Sequence, residues 1–423
     1  MFQIQNIQSH FRISLLLIFT FLLVAGCKKQ PSKPVVVTPD ERPVEVFTPV
    51  VVQKTVQKKI YVHLMPWFET KETNSPIGTW GQHWTMANKN PDIINAAGEN
   101  EIASHYYPLT GPYASGDPDI IEYQLLLMKL SGIDGVLIDW PGTTNLYDYP
   151  LLVKNAEKLI EQTGKAGLTF GIVYEDQNIN HAFDQHVIAD KIAAGKNDMK
   201  YLETNYFGRK NYISFNNKPL LLVFGPQAFT TEASWTEVFS ALKNKPSFFT
   251  LWYESNEAGV NVAGEYAWVY KNHLTDLNNF YQRSLNGTKI GSAYPGFDDF
   301  YKEGGWGNTL FKIASNGKTT FQTTLDLAIQ SNSAFVQLVT WNDYGEGTMI
   351  EPTKQFGYDL LTSLQATLGV SYTKKELELV YKLYTLRKKY QGNQPVQVKL
   401  NEAFNAFASL KVEQVSEILN AYN

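Results

Sequence analysis

Eight short apolar runs, separated by helix-patterned stretches, restrict this chain more than any other feature of it. They are IYVHLMPWF (60–68), DGVLIDW (134–140), LTFGIVYEDQ (168–177), KPLLLVFG (218–225), SFFTLWYES (247–255), EYAWVY (265–270), TKIGSAYPG (288–296) and FVQLVTW (335–341). Their apolar residues are nearly continuous, as in strands buried on both faces of a parallel sheet covered by helices. Helical spacing recurs between them at 119–132, 151–167, 186–207, 234–245, 274–287 and 319–331. Gly167 is placed to end the second of these helices and Ser234 to cap the fourth. The expected fold is α/β, a (β/α)₈ TIM barrel over 59–356. The thinnest link is ESNEAGVNVAG, all that separates the fifth and sixth strands, and an open doubly wound sheet is the alternative. No glycine-rich phosphate loop follows the first strand, which argues against the dinucleotide-binding form of that alternative. From 357 to 423 the pattern is helical, notably at 374–390 and 412–422. That part is expected to be a helical C-terminal extension packed on the barrel.

The first 58 residues have a different character. Ile13 to Gly26 is an apolar run preceded by Arg12 and ending LLVAGC. It is too short for a comfortable membrane span. Small residues before a cysteine resemble the bacterial lipoprotein signal, in which the thiol is acylated and the chain is cut before it. Residues 1–26 are therefore expected to be a signal peptide and Cys27 the lipidation site, with an ordinary signal or short anchor as the alternative. Residues 27–58 carry Pro31, Pro34, Pro39, Pro43 and Pro49, which favour an extended tether over a helix. The expectation is a bacterial outer-membrane lipoprotein on the periplasmic or cell-surface face, attached through its N-terminal lipid and otherwise a soluble monomer.

Cys27 is the only cysteine, so neither an internal disulfide nor a thiolate zinc cluster can form. His181 and His186 are five apart, which is not one helical face, and no HExxH occurs. No metal and no cofactor are expected. Net charge is −4 with no basic stripe, so nucleic acid is not an expected partner. Aromatic residues make up 13% of the chain, enough to suggest stacking on sugar rings, although a Tyr-rich core and surface would account for the same number.

A barrel of this kind places its site at the C-terminal ends of the strands. The exits carry His63 and Trp67, Asp139 and Trp140, Tyr174 to Gln177, Trp252 to Glu254, Trp268 to Lys271, and Tyr294. The last strand opens into WNDYGEGTMIEPT (341–353), where Asp343 and Glu346 lie three apart between aromatics and glycines. Two acids aimed at one cavity suit a reaction that protonates one oxygen and deprotonates another. Glu351 is either a substrate contact or a brace for that loop. No GxSxG elbow is present, which disfavours a serine hydrolase.

The segment ASHYYPLTGPYASGDPDIIEYQLLLMKLSGIDGVLIDW (103–140) resembles the start of glycoside hydrolase family 99, the endo-α-mannosidases and endo-α-mannanases. The eighth-strand stretch resembles both that family and the family 71 α-1,3-glucanases, whose WNDYGES matches Trp341 to Glu346. The resemblance covers about 60–355 and implies a glycosidase acting on an α-mannan- or α-glucan-like carbohydrate substrate. It implies Glu346 as general acid and Asp343 as the other carboxylate. Candidate substrate contacts are the strand-exit residues His63, Trp67, Trp140, Glu175, Tyr253, Glu254, Tyr294, Trp341, Asn342 and Glu351, with His105 and Tyr106 from the SHYYP segment. Family 99 has Glu where Asp343 stands. Its route uses that Glu to deprotonate the sugar 2-hydroxyl, giving a 1,2-anhydrosugar. The shorter Asp343 leaves open an inverting reaction in which it activates water, and also a glycan-binding surface lipoprotein without catalysis.

Overall fold

The structure is a computed structural model describing residues 47–422; the expected signal peptide, Cys27 and most of the tether lie outside them. Eight parallel strands form the barrel: β1 (Lys59–Leu64), β2 (Gly135–Trp140), β3 (Thr169–Tyr174), β4 (Lys218–Val223), β5 (Ser247–Leu251), β6 (Gly264–Tyr266), β7 (Thr288–Ala293) and β8 (Phe335–Leu338). Each pairs with its sequence neighbours, and β8 returns to β1 through Lys59↔Phe335 to Val62↔Leu338, closing the ring. The closed TIM barrel is therefore observed and the open sheet is not. Closure leaves no free edge, and each strand is buried by side chains inside the ring and by helices outside it.

The thin link between β5 and β6 holds because almost nothing needs to fit there. Only the turns Ser255–Ala258 and Gly259–Asn261 intervene. Gly264 then lets β6 lie against β7, since a Cβ there would fall 1.8 Å from the Thr288 carbonyl oxygen. Period-two alternation puts Tyr61, Phe249 and Phe335 inside the ring, where they form an aromatic plug with Phe215 at the N-terminal end. Above the plug, His63 lies edge-on to Trp268 at 4.9 Å, and Phe224 flanks the same indole.

Six helices follow the expected pattern: α1 (Pro118–Leu130), α2 (Tyr149–Ala166), α4 (Lys191–Leu202), α5 (Glu232–Phe239), α6 (His273–Gln282) and α7 (Thr319–Gln330). Three details differ. α3 (Gln177–Asp184) is an additional helix directly after β3. The expected 186–207 helix starts later, because Asp190 caps it by accepting from Ala193 N–H. α5 is capped by Thr231, and Ser234 sits at N3 as the reciprocal half of a capping box.

The C-terminal helices α8 (Asp359–Leu368), α9 (Lys374–Lys389), α10 (Gln394–Ala408) and α11 (Val412–Asn420) pack within the same compact unit as the barrel. Arg387 of α9 makes a two-point contact with Glu122 of α1, at 3.0 and 2.8 Å. Lys388 reaches Asp117, the cap of α1, at 2.6 Å. From Phe47 onward the expected tether is not free. Val50 N–H donates to Ala408 and Thr55 N–H to Leu368, each at 2.9 Å. Lys54 pairs with Asp134, and Lys58 donates to the Ala328 and Ser331 carbonyls at the end of α7. Lysines at helix C-termini satisfy exposed carbonyls and oppose the helix dipole, so this strap is held as part of the barrel base.

Candidate active site

The loop after β8 is folded by its own side chains. Thr340 Oγ1 accepts from Asp343 N–H at 2.8 Å, and Asp343 Oδ1 accepts from Glu346 N–H at 3.0 Å. Ile350 and Glu351 N–H groups donate back to Thr340 and Trp341, pinching the loop at its base. A second loop, after β7, lies along it: Asp298 N–H donates to Glu346 and Phe300 N–H to Gly345. Gly347 permits that approach, having φ +67° and an Asp298 carbonyl oxygen 2.8 Å from where a Cβ would stand. From the second loop Tyr301 donates its hydroxyl to Glu346 Oε1 at 2.9 Å.

These contacts bring four carboxyl groups from three strand exits together. Asp343 is only 5% exposed and Asp139 only 2%, while Glu346 and Glu175 are partly buried. Burial pushes Glu346 up to about 8, with the charge of Asp343 adding to it and Tyr301 opposing. Burial also raises Asp343, to about 6, against the backbone N–H of Glu346 and the field of His83. Asp139 is raised to about 7 by burial and Glu175 well above the usual range by burial and the charge of Asp139 beside it. Burial thus raises both loop acids, and the charge of Asp343 pushes Glu346 further than its neighbour, the direction that separates a proton donor from a base.

An aromatic wall borders the acids. Trp67 stacks face to face on His83 at 4.3 Å, and Trp306 stands edge-on to the same imidazole. His83 is 3.6 Å from Asp148, next to Tyr147, which is 64% exposed; Trp306 is 42% exposed. On the other side, His105 approaches Phe300 and Asp298, and Tyr106 stacks on Phe356 beside Gly347.

The structure thus gathers Asp343, Glu346, Glu175, Trp67, His105 and Tyr106 around one mouth and removes eight expected contacts from it. Glu351 is buried and accepts from Tyr113 and Tyr344 hydroxyls, Gln124 and the Trp341 indole, so it braces the loop. Trp341 is its partner and is fully buried. Asn342 clamps β1 to the loop through Met65 N–H and C=O. Trp140 points away from Asp139, into Tyr174 and Tyr201, because neighbours on a strand face opposite sides. Tyr294 is buried near His273. Tyr253 stacks on Arg283, and Glu254 contacts Glu257; neither contacts the four acids. His63 is 1% exposed beneath Trp268 and pushed down to about 3 by burial, so it is a neutral floor residue.

Sequence reasoning missed His83, Tyr301 and Trp306, and left Asp139 at its strand exit without a role. His83 lies in the long segment between β1 and α1, which has no rhythm to read. Tyr301 and Trp306 lie in the connection between the two strands of a short hairpin, Phe297–Asp298 with Lys312–Ile313, which turns the β7 exit back over the mouth. Their distance from the end of β7 concealed them.

Fold and site together define an acid-lined (β/α)₈ barrel with its carboxyls at the C-terminal end. No family model matches the chain. In sequence it is 22% identical over 326 residues to a glycoprotein endo-alpha-1,2-mannosidase-like protein of Danio rerio, spanning 69% of this chain and 70% of that protein. It is 19% identical over 326 residues to glycoprotein endo-alpha-1,2-mannosidase of Xenopus laevis, with 69% of each covered. In fold it matches the GH99 endo-alpha-mannosidase of Bacteroides thetaiotaomicron at TM-score 0.55 and 18% identity, over 74% of this chain and 96% of that one. The chain is thus similar in sequence to endo-alpha-1,2-mannosidases and similar in fold to a GH99 endo-alpha-mannosidase, in both cases across most of the barrel.

Proposed function

We propose that this chain is a glycoside hydrolase that cuts α-linked, mannan- or glucan-like chains internally, with Glu346 as proton donor and Asp343 as companion base. The observation that carries the reading is the geometry of the pair: Asp343 and Glu346 stand three residues apart in one loop at the barrel mouth, with Glu346 N–H donating to Asp343 Oδ1 and Tyr301 donating to Glu346, and burial raises both acids, Glu346 the more. A glycosidic oxygen leaves as a poor group unless it is protonated, and a neutral Glu346 supplies that proton. Asp343, ionised at the same pH, accepts a proton from water or from a sugar hydroxyl. The similarity to endo-acting mannosidases supports an α-glycan as substrate. The rim aromatics Trp67, Trp306 and Tyr147 support a chain longer than one sugar, since each offers a flat apolar face outside the acid cluster.

The test is a panel of α-mannans and α-glucans, with products followed by NMR from the first turnover. Oligosaccharide release is expected, and the first-formed anomer separates water activation, which inverts, from the anhydrosugar route, which retains. The pH profile of kcat/KM is expected to be bell-shaped, rising as Asp343 ionises near about 6 and falling as Glu346 loses its proton near about 8. Tight glycan binding without products after long incubation would instead identify a binding protein on this scaffold.

We further propose that Cys27 is acylated and holds the mature protein at a bacterial outer membrane. The run from Ile13 to Gly26 supports this, with Ala25 and Gly26 directly before the thiol. Labelling with a fatty-acid probe in a bacterial host is expected to mark the wild type and not Cys27→Ala. Equal labelling of both would place the lipid elsewhere.

A further inference from the structure

The reaction outlined above uses Asp343 and Glu346 and leaves two buried acids without a task. Asp139 ends β2 and Glu175 follows β3, and the register Asp139↔Val173 sets them on adjacent strands facing the same way. Their carboxyls stand close enough for the charge of one to raise the other, and so close an approach is relieved when one of them holds a proton. Asp139 is 2% exposed, and its Oδ1 has no partner among the described residues. Glu175 is the more open of the two and lies within the field of Glu346. Among the described residues no lysine or arginine acts on the pair. The groups around it are Asp343 and Glu346 from the β8 loop, Asp176 beside Glu175, and Tyr266 from β6.

We infer that Asp139 is a positioning residue: by sharing one proton with Glu175 it keeps that side chain a hydrogen-bond donor to a sugar hydroxyl, opposite the cleaving pair. The inference rests on the glycosidase reading for its ligand, but not for the shared proton. The physical need is clear from the crowding. Four ionised carboxyls in one poorly solvated pocket would repel one another strongly. Two protons suffice to relieve this, one on Glu346 and one between Asp139 and Glu175, leaving Asp343 ionised as the base. A neutral carboxyl beside an anionic one also offers donor and acceptor together, which suits a sugar's hydroxyls better than two anions do.

The experiment uses the full domain and infrared difference spectroscopy across a pH titration, reading the C=O stretch of protonated carboxyls. In a Glu346→Gln background one such band is expected at neutral pH. It should titrate away at lower pH after Asp139→Asn, and should shift in frequency after Glu175→Gln, which leaves Asp139 as the only acid of the two. A band that titrates identically with and without Asp139→Asn would refute proton sharing, whether or not any glycan is ever cut. With Glu346 intact, Asp139→Asn should raise KM about tenfold while kcat changes less than about threefold, the loss of one good hydrogen bond in ground state and transition state alike. If the band shifts but KM and the pH profile of kcat/KM stay put, the dyad exists and does not position substrate. Should Asp139→Asn fold poorly, the Glu175→Gln spectrum still decides whether the band belongs to this pair.

Discussion

Glu346→Gln is expected to lower kcat by about a thousandfold while leaving KM close to its wild-type value, the usual size of a lost general acid. The side chain keeps its shape and its place beside the Tyr301 hydroxyl, which can reorient toward the amide. What disappears is the proton that the departing oxygen needs. A second measurement separates this from misfolding. Glu346 is raised on folding, so the folded state holds its proton more tightly than the unfolded state does. Protons then favour the native form. The stability associated with this group is full below the unfolded pKa and is lost as pH rises through about 8. Glutamine cannot ionise, so the variant should match or exceed the wild-type melting temperature at pH 8 and above. An inactive variant that also melts early would point to a structural role for Glu346. An active one would place the acid elsewhere.

Glu351→Ala is expected to destabilise the fold by about 3–5 kcal/mol, well beyond an ordinary substitution. The carboxyl joins Tyr113 from the segment before α1, Gln124 from α1, and Trp341 and Tyr344 from the β8 loop, at 2.7 to 3.2 Å. Burial works against its charge, and the four donors pull the other way. Removing it leaves those donors facing a cavity too enclosed for each to find water. Asp343 and Glu346 stand on the loop that this carboxyl pins, so activity should fall with stability. Thermal unfolding followed by near-UV circular dichroism checks the point, since Trp341 and the two tyrosines report on the same spot. A melting temperature within a degree or two of wild type, with only KM changed, would make Glu351 a substrate contact after all.

The distinction between Glu346 and Glu351 shows how far residue pattern reaches. Both are acids in the same glycine-flanked stretch, and nothing local tells the one at the mouth from the one buried as a brace. Gln124, Tyr113 and Tyr301 make that difference, and the first two come from more than 200 residues away in the chain. The strand exits show the same limit. Asp139 and Trp140 are neighbours in sequence and both chemically suggestive. Strand alternation sends one into the pocket and the other into the helical layer, and which goes where depends on register.

What the chain carried on its face was periodic: eight doubly buried strands, the helices between them, and hence a closed barrel with its chemistry at one end. Local spacing also brought Asp343 and Glu346 together, because one tight loop holds both and needs no distant partner to set them side by side. Tertiary structure alone decided the rest. It bent the β7 hairpin over the mouth to deliver Tyr301 and Trp306, stacked His83 against Trp67, and faced Asp139 toward Glu175. The reason is that burial and charge fields are sums over neighbours in space. A carboxyl's protonation, which makes it acid, base or brace, is settled by groups that the order of residues does not place beside it.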